Sequence, residues 1–302
     1  MIRSASELFD AAFVRQLEGL RVLAAAVPAG GRHAEQRSRA RGAGLEFTDV
    51  RPYAPGDDFR AVDWHLYQRL DKLFLRLFLH EEDLPVYFLL DQSKSMARAA
   101  PSEAGPTKSD IARQAVAALG YLLLHQMDRV SVFPFAEEAL RPRSGLSGKH
   151  AFQQLLAYLA ALPIGRDTRL VDAVRELAGR RLRRGLCVVA SDTFDPRGPE
   201  QVLEVLGRLP HRLLLLRPVH PGEARPAHLR GEIRAIDCES GAHLDLSVDD
   251  ALLDRHESAY RAYGEALREL ARRRGGDAVE LASDQPRVPQ LAQLFPSGVL
   301  RA

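Results

Sequence analysis

Cysteine is scarce in this chain: two occur in 302 residues, Cys187 and Cys238. Such a pair builds neither a disulfide framework nor a zinc spacing, which suits a reducing compartment. Cys187 lies in the apolar run Leu186-Cys187-Val188-Val189-Ala190 and reads as a small buried hydrophobe. Aromatic residues are also few, at 7%, with a single tryptophan. Neither charge sign dominates, because 42 basic residues face 40 acidic ones for a formal net charge of +2. A global polyanion-binding field is therefore missing. Nothing approaches the ~20 consecutive apolar residues that cross a bilayer. In residues 1–27, Glu7, Asp10, Arg15, Glu18 and Arg21 interrupt any secretory core. The expectation is a cytoplasmic protein without a membrane span. What is present, 46% hydrophobic and 27% charged residues, is the make-up of a folded chain of one large or two modest domains.

The sequence is organised around Leu89-Leu90-Asp91-Gln92-Ser93-Lys94-Ser95-Met96. Val86 to Leu90 reads as a buried strand, because parallel strands covered on both faces are unbroken apolar runs. Asp91, Ser93 and Ser95 then fall just beyond a strand's carboxyl end, where open α/β sheets bind ligands. Oxygen groups at i, i+2 and i+4 can converge on a small hard cation. They can equally cap the next helix, and the segment alone leaves both readings open.

Upstream, the spacing of Leu8, Ala12, Leu17, Leu20 and Leu23 predicts an amphipathic helix over 5–26, ended by Pro28 and Gly30-Gly31. A basic loop from Arg32 to Arg41 follows. Residues 44–53 alternate apolar and polar, Pro55-Gly56-Asp57-Asp58 marks a tight turn, and 72–79 alternate again. A small antiparallel β unit is expected over about 43–82. Its density of Arg and Asp is read first as structural pairing. From Leu84 strands and helices alternate: strands at 85–90, 130–135, 186–190 and 212–217, with helices near 108–126, 149–161, 169–179 and 199–208. That pattern predicts an α/β fold with a doubly wound, mostly parallel sheet. A hairpin over about 231–247, turning at Glu239-Ser240-Gly241, and a long helix over 249–274 interrupt the regularity. A last strand is expected at 278–281 and a last helix at 288–294. The expected division is 1–82, a helix plus the β-rich region, and 83–302, the α/β domain.

Asp91, Ser93 and Ser95, with Thr168 and Asp192, are read as occupants of strand-end loops, which a parallel sheet gathers on one edge. Two carboxylates and three hydroxyls, without thiol or imidazole, suit Mg²⁺ or Mn²⁺ over zinc or copper. Two aspartates only neutralise such an ion, so it would accept one more anionic oxygen, such as a partner's carboxylate.

These residues resemble the metal-ion-dependent adhesion site of von Willebrand factor type A domains. The resemblance implies that Ser93, Ser95 and Thr168 bind the ion directly, that Asp91 and Asp192 bind directly or through water, and that a ligand's carboxylate completes the shell. A second resemblance lies upstream. Arg41-Gly42-x-Gly44-x-Glu46-Phe47-x-x-x-Arg51-x-Tyr53-x-Pro55-Gly56-Asp57-Asp58-x-Arg60-x-x-Asp63-Trp64 is similar to the signature of the bacterial "domain of unknown function 58" family. There the signature leads into a type A domain, and the likeness covers about residues 30–295. It implies a MoxR-type AAA+ ATPase as partner and a chaperone-like role on a client protein, with no catalytic residues. Some members carry membrane-spanning helices that this sequence lacks.

The leading expectation is thus a non-enzymatic, cation-dependent adaptor. Metal-assisted phosphoester hydrolysis is the first alternative. It lacks a second carboxylate at position 93, a phosphate loop and a nucleophile elbow, and His125 and His150 read as surface residues. Nucleic-acid binding through Arg32–Arg41 or Arg180, Arg181, Arg183 and Arg184 is the second. It lacks interleaved aromatics.

Overall fold

A computed structural model describes residues 8–26, 41–42, 46–54, 57–79, 84–98, 105–137 and 140–295. By internal contacts the chain divides into two units, residues 28–83 and residues 1–27 with 84–302. The amino-terminal helix, grouped by sequence with the β-rich region, therefore belongs to the larger unit. It spans Ala11–Ala26 (α1). Asp10 starts it, its Oδ1 accepting from the Phe13 amide at 2.7 Å, so the helix begins later than its apolar spacing suggested. Leu8, Phe13, Leu17 and Leu20 are buried, whereas Ala12 is exposed. The buried stripe is thus offset by one residue at Ala12.

The smaller unit contains β1 (Arg41–Gly42), β2 (Glu46–Pro52), a short helix α2 (Trp64–Leu70) and β3 (Phe74–Leu79). Its sheet is antiparallel in the order β1-β3-β2, with a register shift between Phe47 and Asp49. The helix was not foreseen in what read as a purely β unit. Asp63 makes it, accepting from the His65 and Leu66 amides at 3.0 and 3.2 Å, and an N-cap aspartate outweighs weak periodicity in so short a segment.

The larger unit is built on β4 (Pro85–Asp91), β5 (Arg129–Phe135), β6 (Arg143–Leu146), β7 (Leu186–Ala190), β8 (Arg212–Val219) and β11 (Asp277–Ala282). They form one sheet in the order β11-β8-β7-β4-β5-β6. All neighbours are parallel except β5 and β6, so an antiparallel edge strand that the sequence did not announce closes one side. The helices are α3 (Lys108–His125), α4 (Ala151–Ala161), α5 (Leu170–Gly179), α6 (Pro199–Arg208), α7 (Asp250–Arg273) and α8 (Arg287–Ala292). A separate hairpin joins β9 (Gly231–Ile236) to β10 (His243–Val248).

Strand β4 is buried along its whole length, and alternate side chains point to opposite faces. Val86, Phe88 and Leu90 join one core with residues of α1, α3, α4 and α8. Tyr87 and Leu89 join a second core with residues of α5, α6 and α7. Helices thus cover both faces of a mixed, mostly parallel sheet, which is why the central strands are apolar without interruption. The first strand, β4, lies between β5 and β7, so the winding direction reverses between β4 and β7. The carboxyl ends of two strands at such a reversal bound a crevice that backbone does not fill.

Candidate functional site

That crevice is where the singled-out residues meet. Asp91 ends β4 and is fully buried. Its Oδ1 accepts from the Ser93 amide at 3.0 Å, and its Oδ2 accepts from the Ser191 hydroxyl, just beyond β7, at 2.6 Å. Burial first, and the neighbouring Asp192 charge second, push the Asp91 carboxyl up to about 7. Both causes penalise the ionised form. Ser93 and Ser95 hydroxyls lie 3.0 Å apart. A bonded carboxylate therefore leads, through its own turn, to a pair of hydroxyls facing one another.

The loop is held by backbone. The Gln92 amide donates to Phe135 O at 2.9 Å, while the Gly165 amide donates to Gln92 O at 2.7 Å and the Lys94 amide to Arg166 O at 3.0 Å. The buried Arg113 guanidinium donates to Gln92 Oε1 at 3.1 Å and to Leu162 O at 2.8 Å, tying α3 to the same loop. These bonds bring in Thr168, whose expected setting is corrected by the fold. Thr168 follows no strand: it lies in the 162–169 connection between α4 and α5. It reaches the crevice because residues 165 and 166 are bonded to the Asp91 loop.

A carboxylate already sits among these groups. Glu239, from the turn of the β9–β10 hairpin, accepts from the Thr168 amide at 2.7 Å through Oε2. Its Oε1 accepts from the Thr168 hydroxyl at 2.7 Å and from the Ser95 amide at 3.3 Å. Asp192, beyond β7, is buried and is bonded by the Lys108 ammonium at 3.2 Å. Lys108 also pairs with Glu223 at 2.8 Å. Burial lowers the Lys108 pKa, but Asp192 and Glu223 outweigh it and hold the group above its ordinary value. A lysine in the first turn of a helix opposes the helix dipole, so those two carboxylates keep it there.

The donor set fits a hard cation. Carboxylates and hydroxyls come from three segments, the Asp91–Ser95 loop, Thr168 and Asp192, and among the described residues no thiol or imidazole is bonded to them. Among the described residues, no three His, Cys, Asp or Glu side chains gather as a metal site by themselves. Hydroxyls would have to supply part of any shell.

The signature residues are satisfied locally in the smaller unit. Arg51 forks onto Asp57 through two bonds of 2.8 and 2.6 Å, and Asp57 also accepts from the Ala54 amide at 2.9 Å. The guanidinium bonds hold the Asp57 carboxyl below its ordinary range. Asp58 caps the single turn Phe59–Ala61 through the Arg60 amide at 2.9 Å. Tyr53, Phe59, Trp64 and Tyr67 form a run of ring contacts with centroids 5.2–6.3 Å apart. Pro55 and Gly56, and the basic loop with Arg32, His33, Arg37 and Arg39, lie outside the described residues.

The sequence profile of the family described as "Protein of unknown function DUF58" matches residues 49–266. The chain belongs to the DUF58 family. An uncharacterized protein of Mycobacterium bovis is 25% identical over 256 residues, covering 84% of this DUF58 chain and 79% of the relative. An uncharacterized protein of Mycobacterium avium is 24% identical over 154 residues, covering 50% of this chain and 90% of the relative. Among solved structures, an aerotolerance-related membrane protein of Bacteroides fragilis aligns over 70% of this chain and 98% of its own, with 15% identity and a TM-score of 0.41. The Deinococcus radiodurans RO (RSR) protein aligns over 98% of this chain and 48% of its own, with 13% identity and a TM-score of 0.35. At these distances neither likeness informs function. No helix among the described residues of this DUF58 chain is long and apolar enough to cross a membrane.

Sequence reasoning singled out Asp91, Ser93, Ser95, Thr168 and Asp192 but missed Glu239, Lys108, Ser191 and Arg113. Glu239 was read only as a turn residue. A carboxylate at a hairpin tip was its one visible signal.

Proposed function

We propose that this DUF58 protein is a non-enzymatic interaction module that captures a partner's carboxylate at a divalent-cation site formed by Asp91, Ser93, Ser95, Thr168 and Asp192. One observation carries the reading. The Ser95 amide and the amide and hydroxyl of Thr168 already donate to a carboxylate that arrives from elsewhere in the chain. A bound Mg²⁺ or Mn²⁺ would supply the positive charge that two aspartates and three hydroxyls are suited to hold. The chain's own residues then do three things. Asp91 is oriented by Ser191, the Ser93 and Ser95 hydroxyls are held 3.0 Å apart, and the Arg113–Gln92 contact fixes the loop that carries them. The resemblance to von Willebrand factor type A domains supports the same role. The resemblance within the family supports a MoxR-type AAA+ ATPase as partner and a client protein as cargo, in a chaperone-like adaptor.

Calorimetric titration of the full chain with Mg²⁺ is the direct test, with saturable binding expected in the wild type and none in Asp91→Asn. Affinity capture against a purified MoxR-type ATPase should then depend on Mg²⁺ and fail in EDTA. Capture that is indifferent to both EDTA and Asp91→Asn would overturn the cation-dependent role.

A further inference from the structure

The hairpin that carries Glu239 is unlike the rest of the larger unit. Among the described residues its strands pair only with one another, and Val248 alone of the strand residues is buried. Ile236 and Leu244 are large apolar side chains that stay 63% and 61% exposed. By register Ile236 lies opposite His243, and Leu244 opposite Ala235, so the two fall on opposite faces of the ribbon. A two-stranded ribbon of this kind has little stability of its own in water.

Its tip, by contrast, is firmly built. Asp237 Oδ1 accepts from the Glu239 amide at 2.9 Å and Oδ2 from the Ser240 hydroxyl at 2.6 Å, while Asp237 O accepts from the Gly241 amide at 3.0 Å. Gly241 adopts φ +72°, a conformation that a side chain would strain. The turn therefore presents Glu239 in one orientation, although the arm behind it is weakly held. The carboxylate ends on Thr168 and Ser95, 71 and 144 residues away in sequence.

We infer that Glu239 is a built-in carboxylate ligand that fills the candidate site from within the chain, so that an acidic partner group must displace the β9–β10 hairpin to bind. This rests on the cation reading above and specifies how that site is regulated. A tethered carboxylate acts at an effective concentration on the order of millimolar, so weak free carboxylates are excluded. A partner that brings both a carboxylate and contacts for the exposed Ile236 or Leu244 can shift the exchange. In the closed state Glu239 supplies the extra anionic oxygen that the two aspartates leave wanting.

The test compares the full chain with Glu239→Ala, Glu239→Gln and Asp91→Asn, using hydrogen exchange without metal and Mn²⁺ as the probe. In the metal-free wild type, amide exchange over residues 231–248 should be about tenfold slower than in Glu239→Ala, as expected when a local opening loses its tether. Mn²⁺ should bind Glu239→Ala and Glu239→Gln about tenfold more weakly than wild type, since one charged ligand is gone. Bound Mn²⁺ should also relax water protons more strongly in Glu239→Ala, because water takes the vacated position. Equal hairpin exchange in wild type and Glu239→Ala overturns the latch. Equal Mn²⁺ affinity and equal proton relaxation overturn Glu239 as a ligand and leave the cation site standing. Failure of Mn²⁺ to bind wild type, or equal binding by Asp91→Asn, overturns the cation reading and the ligand role together. Hairpin exchange then still decides whether Glu239 fastens the arm.

Discussion

Two regions of this protein are dense in acidic and turn-forming residues, and they use them in opposite ways. In the smaller unit the partners are neighbours in sequence: Arg51 with Asp57, Asp58 with Arg60, Asp63 with His65 and Leu66. Each carboxylate completes a turn or a helix start and leaves little for a ligand to do. At the edge of the larger sheet the partners are distant: Ser191 with Asp91, Lys108 with Asp192, Glu239 with Thr168. There buried carboxylates and hydroxyls depend on several segments at once. A conspicuous cluster in sequence is thus a self-contained structural device, whereas the candidate site is spread through the chain. The physical difference is burial. Arg51, Asp57, Asp58 and Arg60 reach water, where ion pairs are weak, and of the local carboxylates the capping Asp63 is buried. Asp91, Thr168, Ser191 and Asp192 are all buried, where every unmet charge is costly.

The contrast can be broken most sharply at Lys108. Replacing it with Met strands Asp192 and Glu223, and a loss of about 3 kcal/mol is expected, the scale for removing one partner of a buried ion pair. Urea unfolding followed by circular dichroism measures it. A loss no larger than that of an exposed pair would show that the sheet edge is not energetically distinct. Next comes Asp91→Asn, which keeps the side-chain shape and should abolish the rise in melting temperature that Mg²⁺ gives the wild type. An unchanged response to Mg²⁺ would remove Asp91 from the site.

A smaller effect is expected in the other region. Asp63→Ala should cost about 1 kcal/mol, the usual worth of an N-cap. Trp64 is the single tryptophan and sits at the start of α2, so its fluorescence reports on the smaller unit. The Mg²⁺ response of the larger unit should be untouched, and a loss of it would show that the two regions are coupled. The smallest readout concerns the thiols. Burial pushes the Cys187 thiol up to about 12, so it should stay unreactive to a disulfide reagent near neutral pH until the chain unfolds. Cys238, in the hairpin turn and only partly buried, should react in the native state. A native Cys187 that reacts as fast would show that the sheet core opens readily.

Much of the larger unit was legible before any tertiary structure. The runs 86–90, 130–135, 186–190 and 212–217 are strands because a strand covered on both faces must be apolar throughout. The antiparallel β6 was not legible, because Arg143–Leu146 is mostly exposed and has no such run. The short helix α2 was hidden for a related reason, since its start depends on one capping aspartate and none of its residues is buried.

The sequence by itself determined a doubly wound pattern, the place of Asp91, Ser93 and Ser95 at and just past the end of a strand, and the DUF58 signature. All of these follow from local rules: hydrophobic period, turn chemistry and spacing. Only the tertiary structure decided that Thr168 arrives from a helix–helix connection, that Lys108 is the buried counter-charge of Asp192, and that Glu239 lies among the hydroxyls. No local rule links residues 71 to 144 positions apart. They meet because the sheet reverses its winding between β4 and β7, and because the turn of the β9–β10 hairpin carries the Glu239 carboxylate back toward the opening.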